Sequence, residues 1–420
     1  MNKSPEVRLV WLIVLFAFGL RVAVRLSVGG ADFWMNGYTF FFDLAKSIAA
    51  GHGIAFEGGP TAMRVPLYAA FLAAVTFGHK TFFSVVLVQA LVGAGTVWCA
   101  ALLARELFGN VAAVPAAALT AIYPYYVLHD TALQETSLFT FLTILGTLLL
   151  VRARRSRLGG EALGAGLVLG ADILVRANLA PFALIAPLWL AFSGPGASGW
   201  KQGLRLALLC AGATVLVVSP WLVRSYWLTG SPVLTSQTGF FLWDGNNPYT
   251  FSHYPHESID RSQAVAFEAL TPQEKGEIKA LRPNEAAVDR WFWQKGVEYI
   301  REHPLQTFSN GIRKLEAAFG WLPSPRKGFL PDLVHAASYG PVMVLGMWGM
   351  WAARRHWREH MIIYLLFLSF IAVTVVFFGH TSYRSYLDVY WIVFSAGALA
   401  TLRVVKSNRP CNEANWSSAF

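Results

Sequence analysis

The sequence has 420 residues, of which 55% are hydrophobic and only 14% are charged, and its mean hydropathy is +0.45. In a soluble globular domain about a quarter of the residues are charged, so this composition excludes a soluble globule and indicates a polytopic membrane protein. The net charge of +10 is carried by short basic segments between apolar runs, and such segments report on membrane topology. No feature of the sequence indicates a nucleic-acid partner.

Apolar runs of membrane-spanning length recur along the chain. A bilayer core about 30 Å thick requires about 20 apolar residues per helix. We therefore predict an all-α polytopic membrane protein, a bundle of about ten transmembrane helices of which two are short. The first run carries Arg21 and Arg25 and lacks a small-residue cleavage pattern, which favours a retained helix over a signal peptide. The predicted spans are 9–28, 82–104, 111–128, 132–151, 163–177, 179–193, 204–223, 335–353, 361–378 and 388–404.

The distribution of basic residues orients the chain. Short loops rich in Lys and Arg stay in the cytoplasm, and the segments 152–157 and 354–358 are of this kind. We therefore predict a protein of the inner (plasma) membrane with both termini in the cytoplasm. A first loop at 29–81, an insert at 225–334 and a short loop at 379–387 then face outward.

The predicted spans and outward-facing segments divide the chain into three parts. An N-terminal transmembrane module at 1–224 includes the first loop, an extracytoplasmic insert of mixed structure occupies 225–334, and C-terminal helices with a cytoplasmic tail occupy 335–420. Apolar spacing at 288–302 predicts an amphipathic helix in the membrane interface, ended by Pro304.

The first loop is predicted to contain two interfacial helices. Phe41, Leu44 and Ile48 recur at helical spacing with polar residues on the other side. A second apolar stretch at 66–77 begins with Pro66, and a proline is tolerated in the first turn of a helix. Together the two helices would form a floor at the outer membrane face.

Seven different short motifs occur along the chain in a characteristic order. They read LAKSIAAGHG at 44–53, RVPLY at 64–68, ETSLF at 135–139, LVR at 174–176, PWLVRSY at 220–226, LWDGNNP at 242–248 and YIREHP at 299–304. This series resembles the bacterial GT-C superfamily glycosyltransferases of family 39, which include aminoarabinose and protein-mannosyl transferases. The resemblance implies a GT-C-like bundle and transfer of a sugar from a polyprenyl-phosphate-linked donor at the outer membrane face, with inversion at the anomeric carbon.

Such a transfer needs a base for the acceptor proton and cations for the departing phosphate. The resemblance implies a carboxylate in the first loop as the base. Asp32 corresponds most nearly to that residue, and Asp43 is its rival, because relatives often carry the acid where this chain has Asn36. In the alternative interpretations, Asp32 caps a helix or meets solvent, and Asp43 lies on a solvated helix face.

Four arginines are candidates for binding the donor phosphate, since a guanidinium pairs two-pronged with phosphate. Arg64 lies where lipid headgroups begin, and the alternative is an anchor to ordinary lipid phosphates. Arg176 lies between the short spans, where a charge usually faces a cavity, although Asp172 one turn earlier offers a simpler ion pair. Arg384 fits the family's Arg-Tyr-Arg pattern only in part, because a serine replaces the first arginine, and Arg224 belongs to the PWLVRSY motif.

Two acids flank the tight turn between the third and fourth spans. Asp130 and Glu135 are candidates for catalysis by positioning the acceptor or, with His129, for binding a divalent cation. The alternative for Asp130 is a plain helix-end residue. No ligand spacing indicates a dedicated metal site, and no cofactor is assigned, although some GT-C enzymes use a divalent metal.

Four residues are candidates for contacting the sugar. Tyr68 and Trp243 present aromatic rings, and Asn246 and Asn247 can donate and accept hydrogen bonds. The alternative for the asparagines is ordinary turn chemistry, and tryptophan is common at the interface of any membrane protein.

Two other functions remain open on the sequence alone. A transporter or flippase of a lipid-linked saccharide typically has internal repeats or paired broken helices, and we find no convincing repeat between the halves of the sequence. A non-catalytic envelope protein on the same scaffold is the second alternative, because a fold does not establish an activity. The predicted partners are a polyprenyl-phosphate sugar, membrane lipid and an acceptor that is a glycan, a lipid or a protein.

Overall fold

The computed structural model describes residues 5–34, 39–79, 81–192, 196–282 and 284–406, without the side chains at 31, 32, 196–198 and 402–406. Within this part of the chain, the only sheet is a short hairpin, in which β1 (Ala55–Phe56) pairs antiparallel with β2 (Gly59–Pro60). Helices dominate everything else, which confirms the all-α prediction.

The helices follow one another closely. The first ten are α1 (Pro5–Val28), α2 (Thr39–Ala49), α3 (Leu67–Thr76), α4 (Phe82–Phe108), α5 (Asn110–Ile122), α6 (Pro124–Asp130), α7 (Thr136–Ser156), α8 (Gly159–Ile173), α9 (Ala180–Phe192) and α10 (Gly196–Thr229). The remaining ones are α11 (Thr238–Gly245), α12 (Ile259–Glu268), α13 (Pro272–Leu281), α14 (Glu285–Glu302), α15 (Pro304–Phe319), α16 (Phe329–Ala352), α17 (Trp357–Val376), α18 (Thr381–Arg384) and α19 (Asp388–Lys406).

The ten predicted apolar runs are helical, and one of them is broken into α5 and α6. Five stretches of the described chain are long and apolar enough to cross a membrane, and the 48-residue stretch Phe329–Val376 among them contains both α16 and α17. The pair α5 and α6 makes a sixth if it is counted as one broken span. Helices α8 and α9 have only 15 and 13 residues. The protein is a multi-pass membrane protein, and α8 and α9 correspond to the two spans that were predicted to be short.

The run at 111–128, predicted as one helix, bends by 59° between α5 and α6. Tyr123 has an extended backbone (φ −63°, ψ 115°), and Pro124 opens the next helix. Pro124 accounts for the bend, because proline has no N–H to donate and disfavours the helical conformation of the residue before it.

The first loop and the insert pack together at one end of the bundle, which we call the loop face. Glu285, at the start of α14, accepts hydrogen bonds from the Thr61 hydroxyl (2.6 Å), the Ala62 amide (2.9 Å) and the Ser236 hydroxyl (2.7 Å). Helices α2 and α3 lie in this loop, as predicted from their apolar spacing. The first loop is therefore fixed against the insert.

The insert contains five helices, α11 to α15, and no strand in its described residues, so it is helical where a mixed structure was expected. The stretch predicted to lie in the interface belongs to α14. Its Phe292 packs against Phe240 and Trp243 in an apolar core within the insert. Pro304 does not simply end that helix, because it also opens α15.

Gly245 lies where the insert packs against the end of α17. A Cβ at this position would overlap the carbonyl group of Phe377. We expect Gly245→Ala to lower stability by about 1–3 kcal/mol, the usual cost of overpacking, measured as a lower thermal midpoint of the purified protein in detergent.

The matched control is Gly276→Ala in the exposed middle of α13, where an added Cβ meets nothing within 4 Å. We expect this change to leave the midpoint unchanged or raise it, because alanine favours a helix by up to about 1 kcal/mol over glycine. A Gly245→Ala protein as stable as the control would contradict the close approach.

Candidate functional site

An ion pair joins two helix ends at the loop face. Arg176 follows α8, and its guanidinium Nη2 lies 2.9 Å from Oε1 of Glu135, the residue preceding α7. The same nitrogen donates to the hydroxyl of Thr136 (2.6 Å). Both charged side chains are about nine-tenths buried, and Oε2 of Glu135 has no hydrogen-bond partner among the described residues. Within the described part of the chain, this acid therefore retains an acceptor atom without a protein partner.

Tyr383 in α18 lies beside this pair. The guanidinium carbon of Arg176 is 5.9 Å from the Tyr383 ring centroid and 5.1 Å from that of Phe139. Burial raises the pKa of Tyr383, while the nearby Arg176 and Arg64 act in the opposite direction. The phenol is therefore neutral at physiological pH and lies close to two cations.

Arg64 approaches the same place from the first loop. Its Nη1 donates to Oε1 of Gln237 (2.5 Å), and its guanidinium carbon lies 5.1 Å from the Phe241 ring centroid. The amide of Leu67 donates to the carbonyl of Leu174 (2.8 Å), which ties the loop to the end of α8 near Arg176. We call Arg64, Glu135, Arg176 and Tyr383 the arginine–tyrosine site.

The charges of the arginine–tyrosine site suit an anion. It has two guanidinium groups and one carboxylate, so an excess positive charge remains when the acid is ionised. Guanidinium groups bind phosphate oxygens through charge-assisted hydrogen bonds, and partial burial strengthens these bonds. Two of the four predicted phosphate ligands, Arg64 and Arg176, are therefore brought close to the same tyrosine.

Arg384 contacts a different set of residues from Tyr383, its neighbour in sequence. It is fully buried, its Nη2 lies 3.3 Å from Oδ2 of Asp388, and its guanidinium carbon is 3.5 Å from the Tyr339 ring centroid. The hydroxyl of Tyr123 donates to the same carboxylate (2.9 Å). Arg384 thus belongs to a separate buried cluster that joins α16, α18, α19 and the bend between α5 and α6.

The guanidinium group of Arg224 binds backbone carbonyl groups of the first loop. It donates to the carbonyls of Ile54 (2.7 Å) and Thr61 (2.9 Å), and it stacks 4.9 Å from the Trp221 ring centroid. These contacts connect α10 to the first loop, which is a structural task different from the predicted phosphate contact.

The predicted catalytic acids have different surroundings. Asp130 forms a buried ion pair with Arg21, in which Oδ2 lies 2.5 Å from the arginine Nε. Asp43 is half exposed on α2 and pairs with Lys46 (2.7 Å), as the solvated alternative predicted. Asp32 lies in a short 3-10 turn, Ala31–Trp34, and its side chain is outside the described part of the structure.

The four predicted sugar contacts are buried and engaged with protein. The hydroxyl of Tyr68 donates to Gln89 (2.9 Å), and Trp243 lies in the insert core. The side-chain amide of Asn246 donates to the carbonyls of Leu242 (2.8 Å) and Val376 (2.7 Å). That of Asn247 donates to the carbonyls of Trp243 and Asp244, and its Oδ1 accepts from the amide of Tyr249. The asparagines organise a turn, in agreement with the alternative interpretation.

Sequence reasoning missed two buried ionisable groups beside this turn. Lys314 on α15 donates to Oδ1 of Asn246 and to the carbonyl of Val375, both at 3.1 Å. Burial lowers the pKa of Lys314 to about 7 and raises that of Asp244 to about 8. The regular amphipathic spacing of α15 was the available signal, since it places Lys314 and Asn310 on one helix face.

No group of three or more histidine, cysteine, aspartate or glutamate side chains close enough to hold a metal ion occurs among the described residues. His129 is committed to Gln134 through its Nδ1 (2.6 Å), and Asp130 to Arg21. Glu135 pairs with Arg176.

Comparison with known proteins gives one family match. Residues 63–224 match the family model described as dolichyl-phosphate-mannose-protein mannosyltransferase. No curated protein sequence matches the chain significantly. The matched segment contains Arg64, Glu135 and Arg176.

Two solved structures of one oligosaccharyltransferase have a similar fold, and a third protein gives a weaker match. The apo oligosaccharyltransferase of Archaeoglobus fulgidus has a TM-score of 0.50 and 13% identity over 97% of this chain and 52% of that one. The complex of that organism's AglB with an inhibitory peptide and a dolichol-phosphate gives 0.50 and 14%, over 98% and 52%. ArnT of Cupriavidus metallidurans bound to undecaprenyl phosphate gives 0.38 and 14%, over 91% and 77%. The chain thus spans about half the length of the oligosaccharyltransferase.

The Arg21–Asp130 pair generates a stability prediction. Arg21→Met leaves a buried carboxylate without its partner, which typically costs about 3–5 kcal/mol, and we expect a large fall in thermal midpoint. Arg21 also donates to the carbonyls of Ala17 and Ala121, both at 3.1 Å, so the variant also loosens α1 from α5.

The control is Arg21→Met combined with Asp130→Leu, which removes both charges. We expect the double variant to recover much of the lost stability, because an apolar pair can replace a buried ion pair. Additive losses in a double-mutant cycle would show that the two side chains do not interact.

Proposed function

We propose that this chain, which has the fold of the GT-C glycosyltransferases, moves a sugar from a polyprenyl-phosphate-linked donor to an acceptor at the extracytoplasmic membrane face. The observation that carries the proposal is the approach of Arg64 and Arg176 to Tyr383 at the loop face. A departing lipid phosphate carries the negative charge that such a cluster stabilises.

Two comparisons support a lipid-phosphate donor. The family model matched by residues 63–224 is named for a dolichyl-phosphate-mannose enzyme. AglB, with the same overall fold, was solved with a dolichol-phosphate. We assign the corresponding role here to a polyprenyl phosphate, bound by Arg64 and Arg176 with the Tyr383 hydroxyl as an additional donor.

The reaction we propose is a direct displacement. A carboxylate takes the proton of the acceptor hydroxyl or amide, and the freed oxygen or nitrogen forms a bond to the anomeric carbon. The bond from that carbon to the phosphate oxygen breaks, and its electron pair leaves with the lipid phosphate, where Arg64 and Arg176 stabilise it. Attack opposite the leaving group inverts the anomeric configuration.

We propose Asp32 as the base. Asp43, its rival, is half exposed and paired with Lys46, whereas Asp32 follows the end of α1. Glu135 orients Arg176 and offers its second oxygen to the acceptor. Asp130 and Arg224 are assigned structural roles because protein groups already occupy them.

The orientation is part of the proposal. At the end opposite the loop face, Arg152 and Arg155 pair with Glu106, and Arg155 also pairs with Glu359. This end carries the basic segments that favour the cytoplasm. The loop face is then extracytoplasmic, in an inner membrane.

Arginine-to-lysine changes test the phosphate ligands. Arg64→Lys and Arg176→Lys keep the charge but lose the two-pronged geometry. We expect each to weaken binding of undecaprenyl phosphate to the purified protein in nanodiscs by about tenfold, which corresponds to about 1.4 kcal/mol. Arg261→Lys, whose side chain is exposed on α12, is the control and should bind as the unaltered protein does. Unchanged affinity in both site variants, with their thermal midpoints retained, would contradict the assignment.

Transfer assays test the base. With a labelled polyprenyl-phosphate sugar, Asp32→Asn should lower turnover by about 10²-fold or more while leaving donor binding intact, because general-base catalysis typically contributes 10²–10⁴-fold. Asp43→Asn should retain turnover. The reverse result would transfer the role to Asp43, and full activity in both variants would exclude a first-loop carboxylate.

A further inference from the structure

Three segments of the loop face meet at Ser324, which lies between α15 and α16. Its hydroxyl donates to the carbonyl of Pro255 in the insert (2.9 Å) and lies 3.1 Å from Nδ1 of His380, the residue before α18. Its amide donates to the hydroxyl of Thr381 (2.8 Å), and its carbonyl accepts from the amide of Thr381 (3.2 Å). We call Pro255, Ser324, His380 and Thr381 the Ser324 cluster. It joins the insert to the short outer loop that carries Tyr383.

The Ser324 hydroxyl fixes the protonation state of His380. A serine hydroxyl has one proton to donate, and the carbonyl of Pro255 accepts it. Toward the imidazole the serine oxygen is then an acceptor, so the proton of His380 is assigned to Nδ1 from this hydrogen-bond network. Burial lowers the pKa of His380 to about 4, an effect that Asp260 opposes and Lys327 reinforces. The imidazole is therefore neutral at physiological pH and donates from Nδ1 to Ser324.

His380 connects the Ser324 cluster to Tyr383. Its carbonyl accepts from the amide of Tyr383 (3.0 Å), and the two ring centroids are 5.7 Å apart. The ring of Phe378 lies 6.0 Å from that of His380 and 5.8 Å from that of Tyr383. On its other side, Tyr383 lies beside Arg176 of the arginine–tyrosine site. Tyr383 thus contacts both a phosphate candidate and the buried histidine.

The position of Tyr383 depends on such contacts because α18 is short. The helix has only four residues, and a helix of this length is not stable without tertiary packing. Tyr254 of the insert supports the same segment, since its hydroxyl donates to the carbonyl of Gly379 (2.6 Å) and its ring lies 5.1 Å from that of His380. A phenol that donates to a ligand must be held within about 0.5 Å of its productive position. The buried ring of His380 is placed to supply this support.

We propose that His380 is a positioning residue for Tyr383. The bond from its Nδ1 to Ser324 would fix the start of α18, so that the Tyr383 hydroxyl lies beside the donor phosphate. This inference rests on the proposed function, in which that hydroxyl donates to the phosphate. His380 acts through Tyr383 and does not itself contact the substrate.

A double-mutant cycle tests the proposal, with binding of undecaprenyl phosphate to the full chain in nanodiscs as the measurement. Tyr383→Phe removes a donor to a charged group, and we expect about tenfold weaker binding. His380→Phe keeps a ring but loses the Nδ1 proton, and we expect about fivefold weaker binding. The double variant should bind no more weakly than Tyr383→Phe alone, because His380 acts only through the Tyr383 hydroxyl.

Conservative changes separate positioning from general damage to the fold. In His380→Asn the side-chain amide takes the place of Nδ1 and donates to Ser324, so affinity should stay within about twofold of the unaltered protein. Ser324→Ala removes the other end of the bond and should reproduce the loss seen in His380→Phe. The matched control is His360→Phe, a second buried histidine that packs on Phe108 and Phe394 at the opposite end of α17. Its affinity should not change.

Full affinity in both His380→Phe and Ser324→Ala, with Tyr383→Phe weakened, would overturn the positioning role and leave the proposed function standing. Additive losses in the cycle would also overturn it, since His380 would then act by a route other than Tyr383. If His380→Phe does not fold, the cycle is run with Ser324→Ala in its place. Absence of binding by the unaltered protein would instead contradict the proposed function.

Discussion

The arrangement of the loop face depends on one buried ion pair, between Glu135 and Arg176. It joins the start of α7 to the turn after α8, and it holds a guanidinium next to Tyr383. A charge in a low-dielectric setting needs a partner, and removing either partner leaves the other uncompensated. Breaking the pair would therefore destabilise the fold, and in the proposed function the intact pair keeps a cation in position for the donor phosphate.

Two further contacts complete the loop face by fixing the first loop. Glu285 of the insert binds Thr61 and Ala62, and Arg224 of α10 binds the carbonyls of Ile54 and Thr61. A loop held in this way from two sides presents Arg64 in a defined position. The site is thus assembled from the first loop, two helix ends and α18, none of which contains it alone.

Composition and periodicity were sufficient to predict the class of protein, the helices of the first loop and the amphipathic character of α14. They also anticipated that α8 and α9 are short, but they did not predict that Pro124 bends the run at 111–128. They also could not identify pairing partners. Asp172, one turn before Arg176, was the simpler partner on sequence, yet it accepts from Thr143 while Arg176 pairs with Glu135. Tertiary contacts decide which acid pairs with Arg176, and sequence spacing alone does not predict those contacts.

Tertiary contacts also divide the motif residues into a group that forms the arginine–tyrosine site and a group that holds a turn. Arg64, Glu135 and Arg176 come together, whereas Asn246 and Asn247 serve a turn. The same residue types suit both tasks, and only the location of their hydrogen-bond partners distinguishes them.

The most direct test of the central claim is an experimental structure of the protein in a lipid nanodisc with undecaprenyl phosphate. The account predicts phosphate oxygens within about 3 Å of guanidinium nitrogens of both Arg64 and Arg176, next to the Tyr383 hydroxyl. A phosphate bound instead in the Arg384–Asp388 cluster, or one that contacts neither Arg64 nor Arg176, would contradict it.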